Sequence, residues 1–187
     1  MSQAKTLTAR DLRRVLDHVA TRPQAARNRL MLLMTHWAGM RIGEVAALRV
    51  RDVIGSDGTA KPEIRLAPEQ TKGKHARTVF VSERLRKEIA VYIKTIDKAQ
   101  THVFATQKQP AFSANSACQL LNALYQRAGI DGASSHSGRR SFITALANKG
   151  VGVRVLAALA GHRSITTTQK YIDVNDDMQR AAVELLM

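Results

Sequence analysis

Apolar residues recur at the helical period along almost the whole chain, and the pattern changes only between about Val50 and Ser82. Thr8 reads as an N-cap before Leu12, Val15, Leu16 and Val19, a 3.6-residue stripe. Pro23 can open a second helix running through Met34 and Trp37, with Gly39 near its end. A short helix from Arg41 would present Ile42, Val45, Ala46 and Leu48. In the exceptional segment, Gly55-Ser56-Asp57-Gly58 reads as a turn, while Ile64–Leu66 and Thr78–Val81 read as strands that could pair with Val50–Ile54. The helical period then returns in Leu85, Ile89, Tyr92 and Ile93, and again over 114–128, 140–148 and 153–160, followed by a short helix containing Tyr171 and an amphipathic one near 178–186. Trp37, Cys118 and Phe142 read as core. The expectation is one mainly α domain, residues 1–187, carrying a small three-stranded antiparallel sheet. A chain of 187 residues is long enough to bury roughly two-thirds of its unfolded surface in a single core.

Charge narrows the function. Lys plus Arg number 29 against 15 Asp plus Glu, a formal net charge of +14. Such an excess repels itself in a compact state, and a polyanionic partner relieves it. Residues 1–30 carry seven basic groups against Asp11 and Asp17, and no carboxylate occurs between Gly132 and Ile172. An acid-free stretch of that length suits a surface that meets phosphate. One cysteine excludes an intrachain disulfide framework, and His18, His36, His75 and His102 lack metal-ligand spacing, so no metal or other cofactor is expected. The first 14 residues lack a signal-peptide pattern and no 18-residue apolar run occurs, which leads us to expect a cytoplasmic protein without membrane contact.

Cutting a phosphodiester without metal needs a nucleophile, cations on the non-bridging oxygens and an acid for the departing oxygen. The carboxylate-poor half has no acidic cluster for a two-metal nuclease, and offers Arg, His and Tyr instead. His136 and Arg139 stand one helical turn apart. Gly161 looks like the residue that ends an apolar helix before His162, and Ser164 like the N-cap of a helix bearing Tyr171 on its second turn. Arg41 follows Gly39 at a helix start, and Lys72-Gly73-Lys74 occupies the turn before the last strand. Taken alone, Tyr171 would be an ordinary packed tyrosine and Arg41 a solvated arginine. Glu44 reads as a partner for a buried arginine.

Together these residues resemble the tyrosine recombinases, or phage integrase family. The likeness is carried by Ala38-Gly39-Met40-Arg41-Ile42-Gly43-Glu44-Val45, by Lys72-Gly73-Lys74 with Arg77, by His136 and Arg139, and by Leu159 to Thr168 with Tyr171. The steps of 23 residues from Arg139 to His162 and nine from His162 to Tyr171 suit that family. The resemblance implies the catalytic-domain fold of DNA breaking-rejoining enzymes and a site-specific recombinase of the integrase or invertase type. Tyr171 would form a 3′-phosphotyrosine and release a 5′-hydroxyl. Arg41 and Arg139 would clamp the non-bridging oxygens, Lys72 would protonate the leaving oxygen with Lys74 as its rival, His136 would accept the tyrosine proton, and His162 would add a hydrogen bond to the phosphate. Lys74, Arg77, Arg140 and Arg163 are expected contacts to the DNA backbone.

Three departures from the family pattern stand out: Gly138 where leucine is usual, Arg140 where histidine is common, and no N-terminal DNA-clamping domain before the catalytic one. That last point suggests a short single-domain member or a fragment of a longer integrase. Implied partners are double-stranded DNA, a homo-tetramer on two DNA sites and accessory DNA-bending proteins, in a bacterial or mobile-element setting at the nucleoid. Residues 174–187 would form a helix docking on a neighbouring protomer. Competing readings are a recombinase-derived DNA-binding regulator without cleavage activity and a type IB topoisomerase.

Overall fold

The computed structural model describes residues 4–172 and 176–184. Its elements in chain order are α1 (Ala9–Ala20), α2 (Ala25–Trp37), α3 (Ile42–Ala46), α4 (Val50–Val53), β1 (Glu63–Leu66), β2 (Arg77–Phe80), α5 (Glu83–Ile93), α6 (Ala114–Arg127), α7 (Ser137–Ala147), α8 (Val153–Ala160), α9 (Ile165–Gln169) and α10 (Asp176–Glu184), with a 3₁₀ turn at Pro68–Gln70.

Local chemistry sets the boundaries. Thr8 and Asp11 exchange backbone-to-side-chain hydrogen bonds in a capping box (3.1 and 3.0 Å), which starts α1 and turns Val15 and Val19 inward. α2 begins after Gln24, in the left-handed region at φ 61°, rather than at Pro23. Leu30, Met31, Leu32, Leu33 and Met34 are all buried, so α2 is apolar on every side and serves as the central helix, packed by α1, α3, α5 and α7. Removing those five side chains from water contributes roughly 10 kcal/mol before conformational entropy is set against it.

The sheet is smaller than expected. β1 and β2 pair antiparallel, Glu63 opposite Phe80 through Leu66 opposite Arg77, and no third strand joins them among the described residues. The segment read as a strand at 50–54 is α4. Asp52 accepts the Arg49 N–H (2.9 Å), which caps a helical turn, and Val50 donates to Thr101 (2.9 Å) instead of to a sheet neighbour. Only Ile54 returns to extended backbone, making an isolated bridge with Ala60. A second difference lies at the C-terminal end: α9 stops at Gln169, so Tyr171 sits just past the helix, its N–H on the Thr168 carbonyl (2.9 Å). α10 occupies part of the expected terminal amphipathic helix, and Leu185 and Leu186 of that segment lie outside the described residues.

α7 lies directly on α2 because glycines stand at the crossing. A Cβ on Gly138 would fall 2.2 Å from Thr35 Oγ1, and one on Gly39 would fall 2.4 Å from the Phe142 ring. α8 packs against α7 with Leu156, Ala157 and Ala160 buried. The N-termini of α3 and α7 and the C-terminus of α8 are thereby brought together.

Candidate active site

The C-terminus of α8 organises the site. A helix ends with carbonyls that have no intrahelical donor and with a partial negative charge, so cations are favoured there. Here three consecutive carbonyls each accept from a different arginine: Leu159 from Arg77 Nη1 (3.0 Å), Ala160 from Arg139 Nη2, and Gly161 from Arg41 Nη2 (3.4 Å). Gly161 ends the helix at φ 61°, and a Cβ there would meet Arg77 Cδ at 2.6 Å. Glycine is required twice over, for the left-handed turn and for the passage of Arg77.

A carboxylate fixes two of those guanidinium groups. Glu44, only 1% exposed, accepts from Arg77 Nη2 (2.6 Å) and Nε (3.1 Å), from Arg41 Nη1 (3.0 Å) and from the Arg41 N–H (2.9 Å). Burial alone would raise its pKa, but the Arg77 and Arg41 hydrogen bonds and charges outweigh burial and hold it below the usual carboxylate range. Glu44 is thus the arginine partner expected of it. Arg77 differs from the expectation of a DNA-backbone contact: its side chain is 10% exposed and its donors point inward to Glu44 and Leu159.

Arg139 is buried and also donates to the Gly39 carbonyl (2.5 Å). Burial and the Arg41 and Arg77 cations press it below the usual guanidinium range, to about 9, still charged at neutral pH. His162 stacks on Tyr171 with ring centroids 5.7 Å apart and planes at 19°, and its Nδ1 shares a hydrogen bond with Thr168 Oγ1 (2.9 Å). That bond leaves Nε2 for a ligand. Burial, then the Arg139, Arg41 and Arg77 charges, push His162 down to about 4. His136 stands at the N-cap position of α7 without a side-chain capping bond, and partial burial followed by the charges of Arg139, Lys72 and Arg41 lowers its pKa as well. Both shifts favour the neutral ring.

Tyr171 is half-buried, its carbonyl held by Thr144 Oγ1 (3.1 Å) and its ring beneath the Arg140 guanidinium (5.4 Å from Cζ to centroid). Lys72 and Lys74 are exposed on the β1–β2 connection, Lys74 at φ 51°; Lys72 is the one whose charge reaches His136. Arg163 is exposed at the α8–α9 junction. Two clefts of about 430 Å³ flank the cluster, one lined by Arg41, Arg77 and His162, the other by His136, Arg140 and Tyr171, with Thr167 on both. The sequence does not disclose the roles of Thr168 and Thr144: Thr168 meets His162 because α9 packs on α8, and Thr144 on α7 reaches the Tyr171 carbonyl 27 residues away. No group of three His, Cys, Asp or Glu among the described residues could hold a metal ion. No described helix is long and apolar enough to cross a membrane.

The mainly helical fold with its small two-stranded antiparallel sheet matches that of solved recombinase structures. It is similar to the crystal structure of XerA recombinase (TM-score 0.77, 22% identity, covering 99% of this chain and 66% of that one) and to XerH site-specific recombinase bound to difH substrate in a pre-cleavage complex (TM-score 0.71, 20% identity, 97% and 54%). In sequence it is similar to tyrosine recombinase XerA of Thermococcus kodakarensis (28% identical over 186 residues, 98% of this chain and 63% of the relative) and to tyrosine recombinase XerC of Brucella suis biovar 1 (33% over 192 residues, 96% and 57%). The phage integrase family model matches residues 5–178, and the chain belongs to that family. It spans about three-fifths of the length of those curated relatives.

Proposed function

We propose that this chain is the catalytic part of a site-specific DNA recombinase that cuts and rejoins duplex DNA through a phosphotyrosine, without metal or ATP. The observation that carries the reading is the anchoring of Arg41, Arg77 and Arg139 on three successive carbonyls beside Tyr171. Donors fixed before the substrate arrives need no reorganisation when charge builds on the non-bridging oxygens. In the forward step the Tyr171 oxygen bonds to phosphorus as the bond from phosphorus to the 5′ oxygen breaks. The tyrosine proton passes to His136, and Lys72 delivers a proton to the departing oxygen. Arg41 and Arg139 hold the non-bridging oxygens with His162 Nε2; Glu44 keeps Arg41 in place, and the Gly39 and Ala160 carbonyls keep Arg139 in place. The ester's energy is retained in the intermediate, so reversal by a 5′-hydroxyl reseals the strand.

The substrate in this reading is double-stranded DNA, bound in part by the acid-free surface over 132–172 and by Lys74 and Arg163. The structures of XerH bound to difH substrate and of the Tn1549 transposon integrase in complex with circular intermediate DNA support that choice. The assembly is four copies on two DNA sites, with bending proteins as accessories, acting at the nucleoid. Residues 174–187 would dock on a neighbour; the 65% exposure of Val183 on α10 supports a face that seeks a partner. The test is a suicide duplex nicked near the cleavage site: wild type forms a denaturation-resistant adduct and Tyr171→Phe forms none. Strand exchange between two sites then separates a recombinase from a relaxing enzyme, and absence of any wild-type adduct would sink the reading.

A further inference from the structure

We infer that Arg140 is a positioning residue for the nucleophile, holding the Tyr171 ring in line for attack; this rests on Tyr171 being the nucleophile. Its guanidinium lies over the Tyr171 ring, Cζ 5.4 Å from the centroid, within the range where a cation is attracted to a ring face. A long side chain free to rotate would give little orientation. Arg140 is not free: its Nε donates to Thr6 Oγ1 at 2.9 Å. Thr6 is itself fixed, because the residues on each side are tied down, the Lys5 N–H to the Gly132 carbonyl (3.0 Å) and the Leu7 N–H to Ser141 Oγ (2.6 Å).

Tyr171 needs such a restraint. It lies beyond the end of α9, so no helical turn sets its direction, and among the described residues its backbone is tied through its N–H to Thr168 and its carbonyl to Thr144. The His162 ring stacks on it, and Arg140 adds a second planar group to the same side chain. Arg140 also lines the cleft that holds His136 and Tyr171, so its charge stays beside the ring both in attack and in rejoining. A contact to the DNA backbone, the role first expected of Arg140, would act on affinity; a residue that aims the nucleophile acts on the chemical step, where a misplacement of about 1 Å can cost on the order of a hundredfold.

The experiment compares wild type with Arg140→Gln, Arg140→Lys and Thr6→Val. Duplex affinity is read by titration, and single-turnover adduct formation is read at saturating suicide duplex. We expect Arg140→Gln to keep its affinity within about threefold while adduct formation falls about tenfold or more, Arg140→Lys to recover part of that loss, and Thr6→Val to show a smaller deficit of the same kind. Loss of affinity with an unchanged saturating rate would make Arg140 a backbone clamp and overturn the proposal, as would variants equal to wild type in both measurements. A second readout needs no activity. With only three tyrosines in the chain, fluorotyrosine labelling gives few resonances, and Tyr171→Phe identifies that of Tyr171. Arg140→Gln and Thr6→Val should shift and sharpen that signal without moving those of Tyr92 and Tyr125; an unmoved Tyr171 signal overturns the proposal even if wild type forms no adduct. The recombinase reading fails separately, on wild type alone. Should Arg140→Gln fail to fold, Thr6→Val leaves Arg140 in place and carries both tests.

Discussion

Glu44 accepts from two arginines with both of its oxygens, and that makes it costly to alter. Replacing it leaves Arg77 buried without its counter-charge, a change that costs about 3–5 kcal/mol when one partner of a buried pair is removed. For a domain of this size Glu44→Gln should lower the melting temperature by on the order of 10 °C, read by calorimetry. Acid should act on the same pair. Because Glu44 titrates below its ordinary value of 4.5, its contribution is complete above that pH and disappears as the pH falls beneath it. Two histidines act earlier. Burial holds His36, whose Nδ1 has no partner among the described residues, at about 4, and His162 is held at about 4 as well, whereas the unfolded chain protonates both near 6.5. The unfolded state therefore binds more protons between these values, and stability should fall from pH 6.5 towards pH 4. His36→Phe should flatten that part of a melting-temperature profile; an unchanged slope would show that His36 takes no part. Lys72 can be tested by chemistry. Sulfur in the bridging 5′ position leaves without needing a proton, so Lys72→Ala should be nearly inactive on ordinary DNA and largely restored on the sulfur substrate, while Arg41→Ala and Arg139→Ala should not be. Rescue of Lys74→Ala instead would make Lys74 the acid.

At the scale of elements, the residues most legible in the sequence were those whose neighbours are local. Thr8 before α1, Gly161 after α8 and the alternation of Ile64, Arg65 and Leu66 each declare their conformation within a few positions. Val50–Ile54 did not. Five mostly apolar residues fit either a strand or a turn of helix, and the choice was made by Asp52 capping Arg49 and by the distant Thr101 carbonyl. Arg77 was obscured for the same reason, since Leu159 lies 82 residues away. Gly138, where the family usually has leucine, is explained by packing alone: beyond Thr35 Oγ1, a Cβ would meet Thr35 Cβ at 2.9 Å and its backbone carbon at 3.2 Å. Gly138→Leu should destabilise the domain by about 3 kcal/mol or more, measured by urea unfolding. Thr35→Ala in the same chain should relieve only part of the loss, because the Cβ and backbone contacts remain.

Across the whole molecule, the basic surface should make non-specific DNA binding strongly dependent on salt. Neutralising about six phosphates predicts a loss of roughly a thousandfold between 50 and 200 mM, and an affinity indifferent to salt would rule out an electrostatic surface of that extent. The three anchored arginines have a consequence for the protein without DNA. Arg41, Arg77 and Arg139 converge on one helix end where Glu44 pairs with Arg41 and Arg77 alone, so the folded chain holds together like charges that unfolding would disperse. An anion seated among them is thus a folding ligand, and one present at a hundred times its dissociation constant adds about 2.7 kcal/mol. Sulfate should raise the melting temperature above that in chloride at equal ionic strength, and Arg41→Gln should blunt the rise. A sulfate-rich buffer would then conceal the very damage that the Glu44 and Gly138 substitutions cause, so their true cost is legible only in a solvent whose anions do not fit.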